Sequence, residues 1–162
     1  MVKSWKWGWW TKNRSRTISN LVHSFGNWLE SQPRPRGTLH IGEVGVILDP
    51  PTDLTVGIDV VYLSPEQSAR NAGDDLPTII VDAPTLAVEN LSPSNTMAII
   101  HKKIDTYSAH GVAVVWLVDT HFRTVTLHRP NRPTAMLNST EILNGDPELP
   151  GFCVPVAQLF ED

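Results

Sequence analysis

The pattern of apolar and polar positions predicts a β-strand, an α-helix and a second β-strand in the central third of the chain. Leu86–Leu91 form an apolar run of strand length, and Val112–Val118 form another that ends before Asp119. Residues 92–96 between them have the composition of a turn and a helix N-cap, and Met97–Ala109 repeat apolar residues at helical spacing. Because the strands of such a unit normally lie parallel in one sheet, we predict a βαβ unit here.

The same patterning predicts further elements around this unit. Thr17–Ser31 carry apolar residues on one helical face. Leu39–Leu48 and Val56–Leu63 are strand-like, and the proline-containing turn between them favours an antiparallel pair. Ser64–Leu76 are polar and are interpreted as an exposed loop, whereas Thr124–Arg129 alternate and predict a strand towards one edge of the sheet.

Two charged side chains fall on apolar faces of the βαβ unit. Glu89 lies within the first strand, which is expected to be covered on both faces, so its carboxylate must be paired, bound to a metal or neutralised. Lys103 falls inside the apolar arc of the helix with Ile99 and Tyr107, whereas Lys102 falls on the opposite side and is expected to face water. Taken alone, the two residues fit a purely structural ion pair as well as a functional site.

A third charge makes a functional site the better interpretation. Asp59 is an acid embedded in the apolar strand Val56–Leu63, on the face it shares with Val61 and Leu63. Two acids on neighbouring strands with a lysine above them suit a hard divalent cation, because Mg²⁺ binds oxygen and needs only one or two carboxylates beside substrate phosphates. The lysine would orient the attacking water or offset phosphoryl charge.

These residues and their surroundings resemble a known family. The segments Pro84–Ser94, Lys103–Tyr107 and Gly111–Asp119, with the closing pattern at residues 149–152 and 159–160, are similar to the Uma-two family of putative restriction endonucleases. That family belongs to the PD-(D/E)XK nuclease-like superfamily. The resemblance extends from about residue 17 to residue 160.

The resemblance implies an α/β fold with a restriction-endonuclease-like core, in which helices flank a mixed central β-sheet. It also implies metal-dependent cleavage of nucleic-acid phosphodiesters, with Asp59, Glu89 and Lys103 as catalytic residues. Mg²⁺ or Mn²⁺ would be bound by Asp59, Glu89 and the backbone carbonyl of Asn90. Leu91 occupies the usual lysine position of the motif, and Lys103 matches the family's relocated lysine. The sequence departs from the family pattern at Ile58, Asn90, Ile99 and Val114.

Composition divides the chain into a basic extension, residues 1–16, and a single domain, residues 17–162. The extension holds four of the six tryptophans, five Lys or Arg and no acid, and we predict that it is disordered. Alternatively, it would stack on bases and contact phosphates, or lie at an anionic membrane surface. The domain has an ordinary hydrophobic content and a lone cysteine, and it has no apolar run of about 18 residues, so a cytoplasmic protein with no membrane partner is expected.

Charge argues against the nuclease interpretation and keeps an alternative open. Residues 17–162 hold 8 Lys or Arg and 17 Asp or Glu, a formal charge of −9, which disfavours tight nonspecific binding of DNA. The alternative is a catalytically inactive module of the same fold that binds nucleic acid or a protein partner, and an enzyme for another phosphate ester would use the same residues. The expected partner is nucleic acid, in particular DNA, and cleavage of both strands of a duplex would favour a homodimer. The sequence does not indicate which residues bind nucleic acid.

Overall fold

The computed structural model describes residues 11–73 and 79–161, and its centre is a seven-stranded mixed sheet. Within the described residues the helices are Lys12–Ser31 (α1), Pro65–Arg70 (α2), Met97–Ala109 (α3) and Val156–Leu159 (α4). The strands are Thr38–Asp49 (β1), Leu54–Leu63 (β2), Ile80–Val81 (β3), Leu86–Asn90 (β4), Val114–Asp119 (β5), Thr124–His128 (β6), Ala135–Leu137 (β7), Ile142–Asn144 (β8) and Cys153–Pro155 (β9). A short 3₁₀ turn, Pro50–Thr52, joins β1 to β2.

The strand order of the sheet is β3-β1-β2-β4-β5-β6-β7, which makes β4 its central strand. β4 and β5 are parallel with α3 between them, so the predicted βαβ unit is confirmed. β1 and β2 form the predicted antiparallel pair, and β2 also runs antiparallel to β4. β8 and β9 form a separate two-stranded sheet near the C-terminus. The structure is therefore the mixed α/β fold that the sequence predicts.

Two apolar cores cover the two faces of the sheet. One core joins α1 to even-numbered residues of β4 and β5, and its centre includes Phe25, Trp116 and Phe152. The other core joins α3 to odd-numbered residues of the same strands, including Ala87, Val115 and Leu117. Since both faces of β4 are covered, all five of its residues are buried. This burial makes the end of β4 an unusual place for a carboxylate.

The first helix begins earlier than predicted. It starts at Lys12 instead of Thr17, because the Thr11 hydroxyl accepts a hydrogen bond from the backbone N–H of Arg14 and so caps the helix. The Arg14 side chain is buried in this added turn. Residues 12–16 of the predicted disordered extension are therefore helical, and the domain boundary after residue 16 falls inside α1. Residues 1–10 of that extension lie outside the described residues.

Two smaller predictions, for residues 64–76 and for the apolar face of α3, are also corrected. Part of the predicted loop at residues 64–76 is the helix α2, whose capping box is formed by Ser64 and Gln67. The strand predicted towards one edge of the sheet is β6, and β7 lies beside it at the edge itself. On α3, Met97 and Ile99 are exposed although the helical pattern assigns them to the apolar face, because α3 contacts the sheet through Ile100, Ile104 and Tyr107.

None of the helices in the described segments is both long enough and apolar enough to cross a membrane.

Packing of the first core predicts a large cost for truncating Phe25. Its ring is 1% exposed and lies 4.7 Å from the Phe152 ring and 5.7 Å from the Trp116 ring, measured between centroids. Phe25→Ala should lower the free energy of unfolding by about 3–5 kcal/mol, because apolar burial is removed and a cavity is left behind. Urea unfolding measures this change.

Phe122→Ala is the matched control, because Phe122 is 73% exposed and its truncation should change stability by no more than about 0.5 kcal/mol. Equal decreases in the two variants would contradict the assignment of Phe25 to the core.

Candidate active site

The candidate site is built at the carboxyl end of β4, where Glu89 is only 7% exposed. Strand alternation turns its side chain to the α3 face of the sheet together with Ala87. A central strand covered on both faces gives this carboxylate no direct route into bulk water. Its charge must therefore be compensated by neighbouring groups.

Two side chains from α3 supply that compensation. Lys103 Nζ donates a hydrogen bond to Glu89 Oε2 at 2.8 Å, and the Tyr107 hydroxyl donates to Oε1 at 2.5 Å. Lys103 and Tyr107 are one helical turn apart on the same face of α3, so one helix satisfies both carboxylate oxygens. The lysine side chain remains 41% exposed, so it connects the buried acid to solvent. Lys102 is exposed on the other side of the helix, as predicted.

Burial and charge shift the pKa values of this cluster. Burial raises the pKa of the Glu89 carboxyl above its usual value, although the Lys103 charge and the hydrogen bonds from Lys103 and Tyr107 act in the opposite direction. Burial also raises the pKa of the Tyr107 hydroxyl, and the carboxylate beside it raises it further. Tyr107 is therefore a hydrogen-bond donor throughout the physiological pH range.

Asp59 joins the site from the neighbouring strand. Val60 pairs with Val88 in the antiparallel β2–β4 ladder, and continuing this register by one residue sets Asp59 opposite Glu89. Asp59 Oδ2 accepts a hydrogen bond at 2.8 Å from the backbone N–H of Asn90. The negative charge of Asp59 contributes to the raised pKa of Glu89. The structure thus brings together Asp59, Glu89 and Lys103, the three residues that the sequence selects as catalytic.

Asn90 is tied to α1 by a pair of reciprocal hydrogen bonds. Its side-chain amide donates to the backbone carbonyl of Arg14 at 3.1 Å. In return, Arg14 Nη2 donates to the Asn90 backbone carbonyl, which is the third metal ligand that the resemblance implies. A carbonyl oxygen has two lone pairs, so a cation at this atom would have to share it with the buried guanidinium.

A groove of about 630 Å³ opens beside this strand end. It lies between the first turn of α3 and residues 119–122 at the end of β5, and Arg14 and Leu91 line it. Leu91 occupies the usual lysine position of the resembled motif and contributes an apolar wall here. Neither Asp59 nor Glu89 is among the residues that line this groove. Among the described residues, no group of three or more His, Cys, Asp or Glu is arranged to hold a metal ion.

Sequence reasoning missed two members of the site, Tyr107 and Arg14. In the helical pattern Tyr107 belongs to the apolar stripe. It is also four residues from Lys103, which indicates that both side chains could reach the same acid. Arg14 carries no such signal, because it is 76 positions from Asn90 in the sequence and lies in a segment interpreted as disordered.

The fold and this site define a class of protein, an α/β protein with a nuclease-like fold. A crystal structure from Anabaena variabilis, described as "a putative nuclease belonging to DUF820", superposes on the chain with a TM-score of 0.76. The two sequences are 18% identical, and the alignment covers 93% of this chain and 81% of the other. At this identity the likeness establishes the fold.

The family model described as Uma2, "Putative restriction endonuclease", matches residues 11–157. The chain belongs to this family. None of the curated proteins compared with the chain matches it. The match begins at residue 11, the N-cap of α1, and it contains every residue of the candidate site.

The raised pKa of Glu89 predicts a specific pH dependence of stability. Folding raises the pKa of this carboxyl, so its protonated form stabilises the folded state. The stabilisation is complete at pH values below the pKa of the group in the unfolded state, and it disappears as the pH rises through the pKa of the group in the folded state. In EDTA, the free energy of unfolding of the parent relative to Glu89→Gln should therefore fall as the pH rises from about 4 towards neutrality. Urea unfolding at a series of pH values measures this difference.

Glu66→Gln is a control for which the difference in the free energy of unfolding should change with pH in the opposite direction. Hydrogen bonds from its own backbone N–H and from Ser64 lower the pKa of Glu66, so its contribution disappears as the pH falls instead. A parent-minus-Glu89→Gln difference that stays flat or rises with pH would contradict the assignment at Glu89.

Proposed function

We propose that this protein is a metal-dependent endonuclease that hydrolyses phosphodiester bonds in nucleic acid, with DNA as the substrate expected from its family. The observation that carries the proposal is the buried Glu89, held by Lys103 and set opposite Asp59 at the end of the central strand. Two acids and one lysine in this arrangement are what a phosphodiester-cleaving site with Mg²⁺ or Mn²⁺ requires.

The donor set fits a hard divalent cation. Asp59 and Glu89 offer carboxylate oxygens, and each Glu89 oxygen accepts only one hydrogen bond from α3, which leaves further lone pairs available. When bound, the cation would supply Lewis-acid stabilisation of charge on the phosphoryl oxygens. The Asn90 carbonyl is the weaker candidate as a ligand because Arg14 already donates to it.

The chain's own residues orient the carboxylate, position the water and stabilise charge on the phosphoryl group. Tyr107 and Lys103 fix the orientation of the Glu89 carboxylate, so its free lone pairs point in a constant direction. The half-exposed ammonium of Lys103 orients a water for in-line attack on phosphorus and offsets the negative charge that develops there. Attack forms a new P–O bond as the bond to the leaving oxygen breaks, and the leaving oxygen ends with a proton from water.

A second function, a catalytically inactive module that binds nucleic acid or a protein, is favoured by one observation. The Glu89 carboxylate is already satisfied by Lys103 and Tyr107, and the Asn90 carbonyl by Arg14, so the network is complete without a cation. The two functions differ in whether the folded protein binds a divalent cation, which makes cation binding the discriminating measurement.

Thermal unfolding with and without millimolar Mg²⁺ or Mn²⁺ tests the metal site. A cation that binds only the folded state raises the free energy of unfolding by about 2.7 kcal/mol at a hundredfold excess over its dissociation constant. The shift should be present in the parent and absent in Glu89→Gln and Asp59→Asn. Asp105→Asn, which removes an exposed acid of α3, is the matched control and should keep the shift. An equal shift in all four proteins would place the cation elsewhere.

Cleavage of plasmid DNA and of oligonucleotides with Mg²⁺ or Mn²⁺ tests the catalytic assignment. Lys103→Met should lower the rate by about 10²- to 10³-fold, the usual decrease for removal of a group that stabilises transition-state charge. Lys102→Met removes the neighbouring exposed lysine of the same helix and should cleave like the parent. The assignment fails if Lys103→Met, shown to be folded, retains the parent rate.

A further inference from the structure

A second set of side chains with nucleic-acid chemistry lies beside the candidate active site, at the turn between β5 and β6. This turn comprises residues 120–123, and Phe122 within it is 73% exposed. Phe122 lines the groove of about 630 Å³ described above, which Met97 at the start of α3 also lines. An aromatic ring so exposed, at the mouth of a groove, is unexplained by packing of the core.

Two arginines border a second cavity at the same turn. Arg123 of the turn and Arg16 of α1 line a cavity of about 230 Å³ together with the polar side chains of Asn13, Thr17 and Thr120. Arg123 also lies against the ring of Phe160, with 6.0 Å between its guanidinium carbon and the ring centroid. The turn therefore presents an aromatic ring to one cavity and a positive charge to the next.

The backbone of the turn is held in place by hydrogen bonds to neighbouring side chains. Asp119 Oδ1 accepts hydrogen bonds from the backbone N–H groups of His121 and Phe122, at 2.9 and 3.0 Å. The Thr120 hydroxyl lies 3.4 Å from Thr17 Oγ1 on α1 and 3.4 Å from the side-chain oxygen of Asn90 on β4. A preorganised surface loses less conformational entropy when a ligand binds.

The distribution of charge points to a polyanion as the ligand. The first turn of α1 contains no acid, although the helix dipole favours acids at that end, and Lys12, Arg14 and Arg16 lie within its first five residues. This arrangement is unfavourable for the helix alone and favourable for binding phosphate. It also concentrates positive charge beside the site in a domain whose residues 17–162 have a formal charge of −9.

We propose that the turn at residues 120–123 and the first turns of α1 bind a single-stranded stretch of nucleic acid next to the candidate active site. Phe122 stacks on an unpaired base, and Arg16 and Arg123 contact backbone phosphates. The Thr120–Asn90 contact sets this subsite beside the strand end that carries Glu89, although the Asn90 side chain lies on the opposite face of the sheet from the Glu89 carboxylate. The inference rests on the proposed nuclease function and assigns that function a substrate with unpaired bases.

Fluorescence anisotropy with labelled 12-nucleotide single strands of DNA and of RNA, and with the corresponding duplexes, tests the subsite. EDTA is present, so binding is measured without cleavage. The parent should bind at least one of the single strands more tightly than its duplex. Phe122→Ala should weaken that binding about 5- to 150-fold, the range expected when one stacked base loses its aromatic partner, whereas Phe122→Trp should retain it. Met136→Ala, which truncates another exposed apolar residue, should bind like the parent.

The arginines are tested through the dependence of binding on salt. In Arg16→Gln and in Arg123→Gln, the slope of log K against log salt concentration should become shallower by about 0.7 for each phosphate that the variant no longer neutralises. Arg132→Gln, in the exposed loop before β7, is the matched control and should leave the slope unchanged.

The subsite and the proposed cleavage activity can fail separately. Glu89→Gln should bind single strands like the parent in EDTA and yet not cleave in Mg²⁺, because its substitution is outside the subsite. Single-strand binding that is unaffected by Phe122→Ala would overturn the subsite even if the parent cleaves DNA. Absence of single-strand binding by the parent would also overturn it and would instead favour a protein as the ligand of this groove.

Discussion

Burial of one carboxylate at the end of the central strand is the constraint on which the site depends. β4 is covered on both faces, so Glu89 is removed from water and needs two donors, and α3 provides them from Lys103 and Tyr107. This requirement fixes the rotation of α3 about its axis and its height above the sheet, because both donors must reach the same carboxylate. The geometry of the candidate site is thus maintained by the same contacts that make the buried charge tolerable.

The opposite face of the sheet is coupled to this strand end through Asn90. Glu89 and Asn90 are consecutive, so strand alternation turns one side chain towards α3 and the other towards α1. Asn90 exchanges hydrogen bonds with Arg14, and Thr120 lies between Asn90 and Thr17. Both helices therefore contact the last two residues of β4, and a displacement of α1 would be transmitted to the backbone carbonyl adjacent to Glu89. Such coupling gives the start of α1 a role in the site and not only in the core.

Local periodicity predicts the centre of this fold and fails where long-range contacts decide the structure. Alternation places Glu89 inside, and helical spacing turns Lys103 towards it, because both rules depend on neighbours a few residues away. The start of α1 is different, since Arg14 is stabilised by Asn90, far away in sequence, and no pattern within residues 11–16 indicates that contact. The helix α2 is an intermediate case, because the Ser64–Gln67 capping box is visible in the sequence but the surrounding polar composition favours a loop.

Net charge is a poor guide to what this surface can bind. Residues 17–162 carry a formal charge of −9, but a ligand at the site experiences mainly the charges within about 10 Å, the screening length at moderate salt. Arg16 belongs to the basic segment that composition separates from the domain, yet α1 carries it to the cavity that Arg123 also lines. In the proposed complex, the acids elsewhere on the domain would oppose nonspecific adhesion of nucleic acid, while Arg16 and Arg123 would favour a strand that approaches from the side of the candidate active site. Under that proposal, binding would be restricted to this edge of the domain, and the restriction would itself be a form of specificity.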